Sequence, residues 1–160
     1  MATPDITPVQ AIRSLANNDR LIGWREYVGL PDMQVSRLKA KVDTGALTSA
    51  LHVNNLEFFE KAGRPWVRFH PPRDDSSDAE QFAEARVRDQ REVKNSGGQT
   101  ERRCVIATQL VIGPQSFTIE VTLTNRDDMV FAMLLGRTAM RIGKLLVDPR
   151  KSWLAGEPRF

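Results

Sequence analysis

Residues 116–125 read SFTIEVTLTN: apolar Phe117, Ile119, Val121 and Leu123 alternate without a break with polar Thr118, Glu120, Thr122 and Thr124. Successive side chains of a strand point to opposite faces, so a period of two over this length demands an extended segment with one face on a core. A helix would scatter the same apolar residues around its circumference. Other stretches share the texture. LIGWREYVGL and VSRLKAKV are β-prone runs on either side of a Pro31-Asp32 turn, which predicts a hairpin whose second strand delivers the chain into Asp43. Short strands are expected at 49–53, 66–69 and 131–135, and a last one in LLVDP. NNLEFFEKAGRPW reads as a connection ending at Gly63-Arg64-Pro65.

EARVRDQREVK and ERRCVIATQLVI flank the corner Asn95-Ser96-Gly97-Gly98. Glycines supply the positive φ of tight hairpin turns, so these runs predict one long hairpin over 86–105. Its outer part is polar on both faces and is expected to project and move. RTAMRIGK permits about two helical turns. The sum is about eight strands and one short helix, an all-β barrel or sandwich without internal repeat.

The 160 residues, 41% hydrophobic and 27% charged, suit one soluble domain with a real core. Residues 1–20 read as a flexible lead-in with a helical possibility around 9–15, 21–155 as the domain, 70–82 as a polar surface insertion and 156–160 as a tail. No apolar run approaches the roughly 20 residues that cross a bilayer, and the first residues lack a secretory pattern. With a single cysteine, Cys104, the chain has no internal disulfide to form, which fits a cytoplasmic protein. The net charge of +3 is spread among nearly as many acids. Arg86, Arg88, Arg91 and Lys94, then Arg102 and Arg103, read as a solvated strand face. Aromatics are not interleaved with them along the chain, so neither nucleic acid nor membrane is an expected partner.

Within KVDTGALTSAL one acid, Asp43, sits at a tight apolar corner. Asp-Thr-Gly alone is a common turn. Its company is more specific: a strand enters it, a glycine-tipped hairpin follows, and Leu134-Leu135-Gly136 lies late in the chain. With GWREYVGLPD, KAKVDTGALTSALH, WVRF, LTNRDDM, LLGRTAM and LVDP, the chain from Gly23 to about Leu154 resembles the retropepsin-like bacterial family often labelled ATP-dependent zinc proteases. The resemblance implies a closed acid-protease barrel with one short C-terminal helix. It also implies an aspartic endopeptidase acting on protein or peptide as a homodimer, because one Asp-Thr-Gly per chain supplies half of a dyad.

The resemblance gives each neighbour a role. Asp43, Thr44 and Gly45 are the catalytic corner: Gly45 donates an N–H to the carboxyl, and Thr44 reaches across the dimer axis. Ala46 keeps the floor small, while Leu134, Leu135 and Gly136 pack beneath. Asn95, Ser96, Gly97 and Gly98 form the tip of a flap over substrate. Viral retropepsins pair the arginine of their Gly-Arg motif with an acid just after the turn; here Leu47-Thr48 stand there. Arg137 is left with Asp148, Asp32 or Asp128 as its partner, or with no ion pair. Two alternatives remain: a non-catalytic peptide-binding or dimerisation module, and an amide hydrolase trimming glutamate-rich protein tails, which the Arg86, Arg88 and Arg91 cluster would suit. No cofactor is expected. His52, His70 and Cys104 lack zinc-ligand spacing, and no phosphate-binding loop for ATP is present.

Overall fold

The computed structural model describes residues 19–73, 81–94, 97–125 and 130–160. Among them are twelve strands and one α-helix. β1 (Leu21–Ile22), β2 (Arg25–Leu30) and β3 (Val35–Val42) come first, with a 3-10 turn at Pro31–Met33 between β2 and β3. β4 (Ser49–His52), β5 (Asn54–Lys61), β6 (Arg64–His70), β7 (Ala83–Arg86) and β8 (Asp89–Lys94) follow. β9 (Thr100–Ile112), β10 (Gln115–Thr124), β11 (Met133–Leu135), α1 (Arg137–Ile142) and β12 (Leu146–Val147) complete the chain. The helical possibility at 9–15 and most of the 70–82 insertion lie outside the described residues.

The main sheet runs β10-β4-β11-β3-β2-β9-β8, and β9 also pairs with β10. That second pairing closes six strands into a barrel with β8 attached outside the ring, the all-β retropepsin-like fold. Ile106, Ile119, Val121, Leu123, Met133 and Leu135 are fully buried inside it. The alternation along β10 places Ile119, Val121 and Leu123 inward, as expected. Thr122 and Thr124 are buried as well, because the opposite face is also covered. No helix among the described residues is long and apolar enough to cross a membrane.

Two expectations need correction. Residues 54–61 are a strand rather than a connection: β5 pairs with β6 from Lys61↔Arg64 onward, and the turn between them is made by Ala62 and Gly63, both at positive φ. EARVRDQREVK is two strands in two sheets. Val87 donates its N–H to Pro65 and Arg88 donates to Val105, so the chain steps from the β5-β6-β7 sheet to β9 at that point.

The C-terminal residues close one side of the barrel. Both carboxyl oxygens of fully buried Glu26 accept backbone N–H groups, from Gly23 and Leu154 at Oε2 and from Ala155 at Oε1, at 2.6–3.0 Å. Trp153 stacks on Tyr27 at 4.3 Å, and Arg25 lies against both Trp24 and Trp153. Arg159 N–H reaches the Gly113 carbonyl, and Arg37 pairs with Glu157 at 2.8 Å, so residues 156–160 are tied to the body.

Candidate active site

β11 lies between β3 and β4, parallel to β3 and antiparallel to β4. The loop from Asp43 to Thr48 therefore crosses the end of β11 on its way from one flanking strand to the other. Asp43 begins it by donating its N–H to the Leu135 carbonyl at 2.9 Å. Gly136, the next residue of that strand's exit, passes under the loop. A Cβ there would stand 2.7 Å from the Thr48 carbonyl carbon and 2.9 Å from the Ser49 nitrogen, both backbone atoms, so no side chain fits. Its N–H donates to Ser49 Oγ at 3.0 Å.

The loop and α1 satisfy each other. A helix leaves its first N–H groups without internal partners, and α1 has no side-chain cap. Arg137 N–H donates to the Ala46 carbonyl at 2.8 Å and Thr138 N–H to Leu47 at 3.0 Å, with the Thr138 hydroxyl also on Leu47. The Arg137 guanidinium then reaches the Thr44 and Gly45 carbonyls at 3.0 and 3.2 Å. This answers the question of its partner: backbone carbonyls of the acidic turn hold it, and no carboxylate is needed. Asp148 instead pairs with Arg150, and Asp32 accepts the Gln109 N–H; Asp128 lies outside the described residues.

Inside the turn, Gly45 N–H donates to Asp43 Oδ1 at 2.9 Å. A Cβ on Gly45 would sit 3.2 Å from that oxygen, so glycine leaves the carboxyl in place. Asp43 is half-buried while Thr44, Gly45 and Leu47 are exposed, which makes the corner a surface ledge.

That ledge is one wall of a cavity of about 480 Å³. Ala46, Ala50, Thr122 and Leu134 line it together with Arg91, Glu92, Val93, Lys94 and Arg103 of the β8–β9 arm. Along β8 Arg91 and Val93 share one face, with Arg103 opposite Arg91, and Glu92 and Lys94 share the other. Arg91 and Arg103 are direct cross-strand partners. Like charges so placed repel, and acids offset them. Asp89 and Glu120 hold Arg91 at 3.0 and 3.2 Å, and Glu101 holds nearly buried Arg103 at 3.1 Å. The hydrogen bond to Arg91 holds the Asp89 carboxyl below the usual carboxylate range, and that bond raises Arg91 in turn. Lys94 has no such partner among the described residues.

Asp43, Thr44, Gly45, Ala46, Leu134, Leu135, Gly136 and Arg137 therefore meet in one place. Gly97 and Gly98 lie at the arm's far end, Gly98 at positive φ, while Asn95 and Ser96 lie outside the described residues. Of the basic residues lining the Asp43 cavity, Arg91 was set from sequence in a cluster that would suit a glutamate-rich substrate, whereas Lys94 and Arg103 were read only as a solvated strand face. Counting back from the Gly-Gly corner sets Arg91 opposite Arg103, a register signal that could have found them.

Among the described residues no three His, Cys, Asp or Glu side chains gather to hold a metal ion. His70 contacts Asn55, and Cys104 is buried in β9, where burial pushes its thiol up.

The chain is similar to known proteins along most of its length. Two curated relatives, from Shewanella pealeana and Parasynechococcus marenigrum, are 42% and 45% identical over 89% and 87% of this chain. Both are named probable alpha-L-glutamate ligase, and the chain spans about a third of their length (31% and 30%). A solved structure from Legionella pneumophila, of a protein of unknown function, matches with a TM-score of 0.72 and 30% identity over 86% of this chain and 99% of its own. The zinc-protease label finds only loose support beside these names. A family model described as "Retropepsin-like aspartic endopeptidase RimB" matches residues 21–158, and the chain belongs to that RimB-like family.

Proposed function

We propose that the chain is an aspartic endopeptidase that works as a homodimer and cuts glutamate-rich peptides. The observation that carries this reading is Asp43 on a ledge braced by Gly136 and Arg137, in a cavity also lined by Arg91, Lys94 and Arg103. One chain brings one Asp-Thr-Gly corner, and a two-fold axis brings the second. Two carboxyls roughly 3 Å apart share one proton because two negative charges that close repel.

Water held between them gives a proton to the ionised carboxylate as its oxygen attacks the scissile carbonyl carbon. The protonated partner donates to the carbonyl oxygen. The tetrahedral intermediate then collapses: the C–N bond breaks, the leaving amine takes a proton from the dyad, and a new carboxyl remains. Thr44 and Leu47 are exposed on the ledge and so open to contact by a second copy. Glutamate side chains of a bound peptide meet Lys94, which is exposed and without an ion partner among the described residues. The names of the relatives support an α-linked glutamate substrate.

A second reading draws on their length. A fold that fills about a third of proteins named as ligases could present a glutamate-bearing chain without cutting it. Asp43→Asn separates the two. Loss of cleavage of a glutamate-rich peptide with unchanged dimer mass supports the peptidase. No cleavage by the unaltered protein, with peptide binding kept by both forms, supports the presenting domain.

A further inference from the structure

Along the chain aromatics and basic residues lie apart, but the small β5-β6-β7 sheet interleaves them. Its inner face carries buried Val67, Phe69 and Ala83. Its outer face pairs Phe59 with Trp66, Lys61 with Arg64, and Trp66 with Arg86. The Phe59 and Trp66 rings are 6.4 Å apart, and beside β7 exposed Phe82 stacks with His70 at 6.2 Å. Lys61 lies 4.6 Å over Trp66, and Arg68 lies 5.4 Å from both Phe59 and Phe82. The face sets Lys61, Arg64, Arg68 and Arg86 against Glu57 and Glu84, and Glu84 is shared by Lys61 and Arg68. Arg64 and Arg86 have no ion partner among the described residues.

We propose that this face binds single-stranded nucleic acid, independently of the Asp43 site. Its partner is anionic by charge complementarity, and the rings decide which anion. A glutamate-rich peptide would use the cations and leave the aromatic rings idle. A single strand brings a π-face and a phosphate with every residue. On binding, Lys61 and Arg68 move from ring faces to phosphates and bases take their places. At the β7 edge, Trp66, Arg86 and Arg88 also border a cavity of about 280 Å³. Asp32 and Thr108 line it too, and the Thr108 hydroxyl is buried without a hydrogen-bond partner. One nucleobase fits that volume and supplies the missing partner.

The test is fluorescence anisotropy of a labelled oligouridine of roughly 20 nucleotides, enough to cross one such sheet, titrated with the full chain at about 50 mM salt. Binding is expected, with a log–log salt slope of about −3 if Lys61, Arg64, Arg68 and Arg86 each take one phosphate. Phe59→Leu with Trp66→Leu should weaken it about tenfold or more. Arg64→Ala with Arg86→Ala, exposed changes that leave the core intact, should flatten the slope by about 0.7 per arginine. No binding overturns the proposal, as does binding that neither pair of changes alters. Displacement by poly-L-glutamate as effective as by unlabelled oligonucleotide makes the face a general acidic-polymer surface and also overturns it. Peptide cleavage should be unchanged in both variants.

Discussion

Gly136→Ala tests the crossing of loop and strand most severely. The backbone at Gly136 is extended, with φ −91° and ψ 176°, so alanine meets no backbone strain. The whole cost is contact: the new methyl would sit 2.7–2.9 Å from three backbone atoms of Thr48 and Ser49. Backbone held on both sides cannot swing away as a flexible side chain does. The loop must lift by several tenths of an ångström, stretching the bonds from Arg137 and Thr138 N–H to Ala46 and Leu47. Overpacking costs about 1–3 kcal/mol, and two weakened hydrogen bonds add about 1 kcal/mol each. A loss of about 3–5 kcal/mol corresponds to a fall in Tm of about 6–20 °C for a domain of this size. Gly45→Ala is the control, because its methyl meets only the Asp43 carboxyl oxygen at 3.2 Å. It should leave Tm within about 2 °C and still displace the carboxyl. Calorimetry on both variants decides; equal Tm for Gly136→Ala and the parent protein would refute the crossing as drawn.

Glu26→Ala removes the acceptor of three N–H groups, each costing about 1–3 kcal/mol if left buried and unpaired; urea denaturation should show a loss of at least about 3 kcal/mol. Lys94→Glu reverses an exposed charge in the cavity and should raise KM for a glutamate-rich peptide about tenfold, with little change for a neutral one. Asp89, held low first by its bond to Arg91 and then by the Gln90 N–H, should titrate in an NMR series below the ordinary 3.8. Its folded value is depressed, so whatever the Asp89–Arg91 pair contributes is present above the ordinary carboxylate range and lost as pH falls through the folded value. Neutral pH should leave that contact untouched. Cys104, with its thiol pushed up by burial, should react with a thiol reagent much more slowly in the native protein than in urea.

The barrel was legible because its strands carry period two and its hairpins carry turn residues; 116–125 needed no tertiary information. The ledge was legible because Asp43, Gly136 and their neighbours form a joint pattern no single triplet has. What failed to show depends on sheet assignment. Whether Val87 continues a strand or leaves it is decided by the Pro65 carbonyl, which lies more than twenty residues earlier. Phe58 and Phe59 look alike in sequence, yet sheet pairing puts them on opposite faces. Arg137 misled in another way. A guanidinium suggests a carboxylate partner, but a loop crossing a strand end presents carbonyls that serve equally well as acceptors. Glu26 gave no signal at all, since its three donors come from residues 23, 154 and 155.

The shared acid is tested most directly by subunit mixing. Parent protein is incubated with an equal amount of Asp43→Asn until subunits exchange, and cleavage of a glutamate-rich peptide is compared with that of the same parent protein alone. If each working site needs Asp43 from both copies, hybrids are dead and random pairing leaves roughly half the activity. Full activity in the mixture would mean that one chain cuts by itself, and the dimeric account would be wrong.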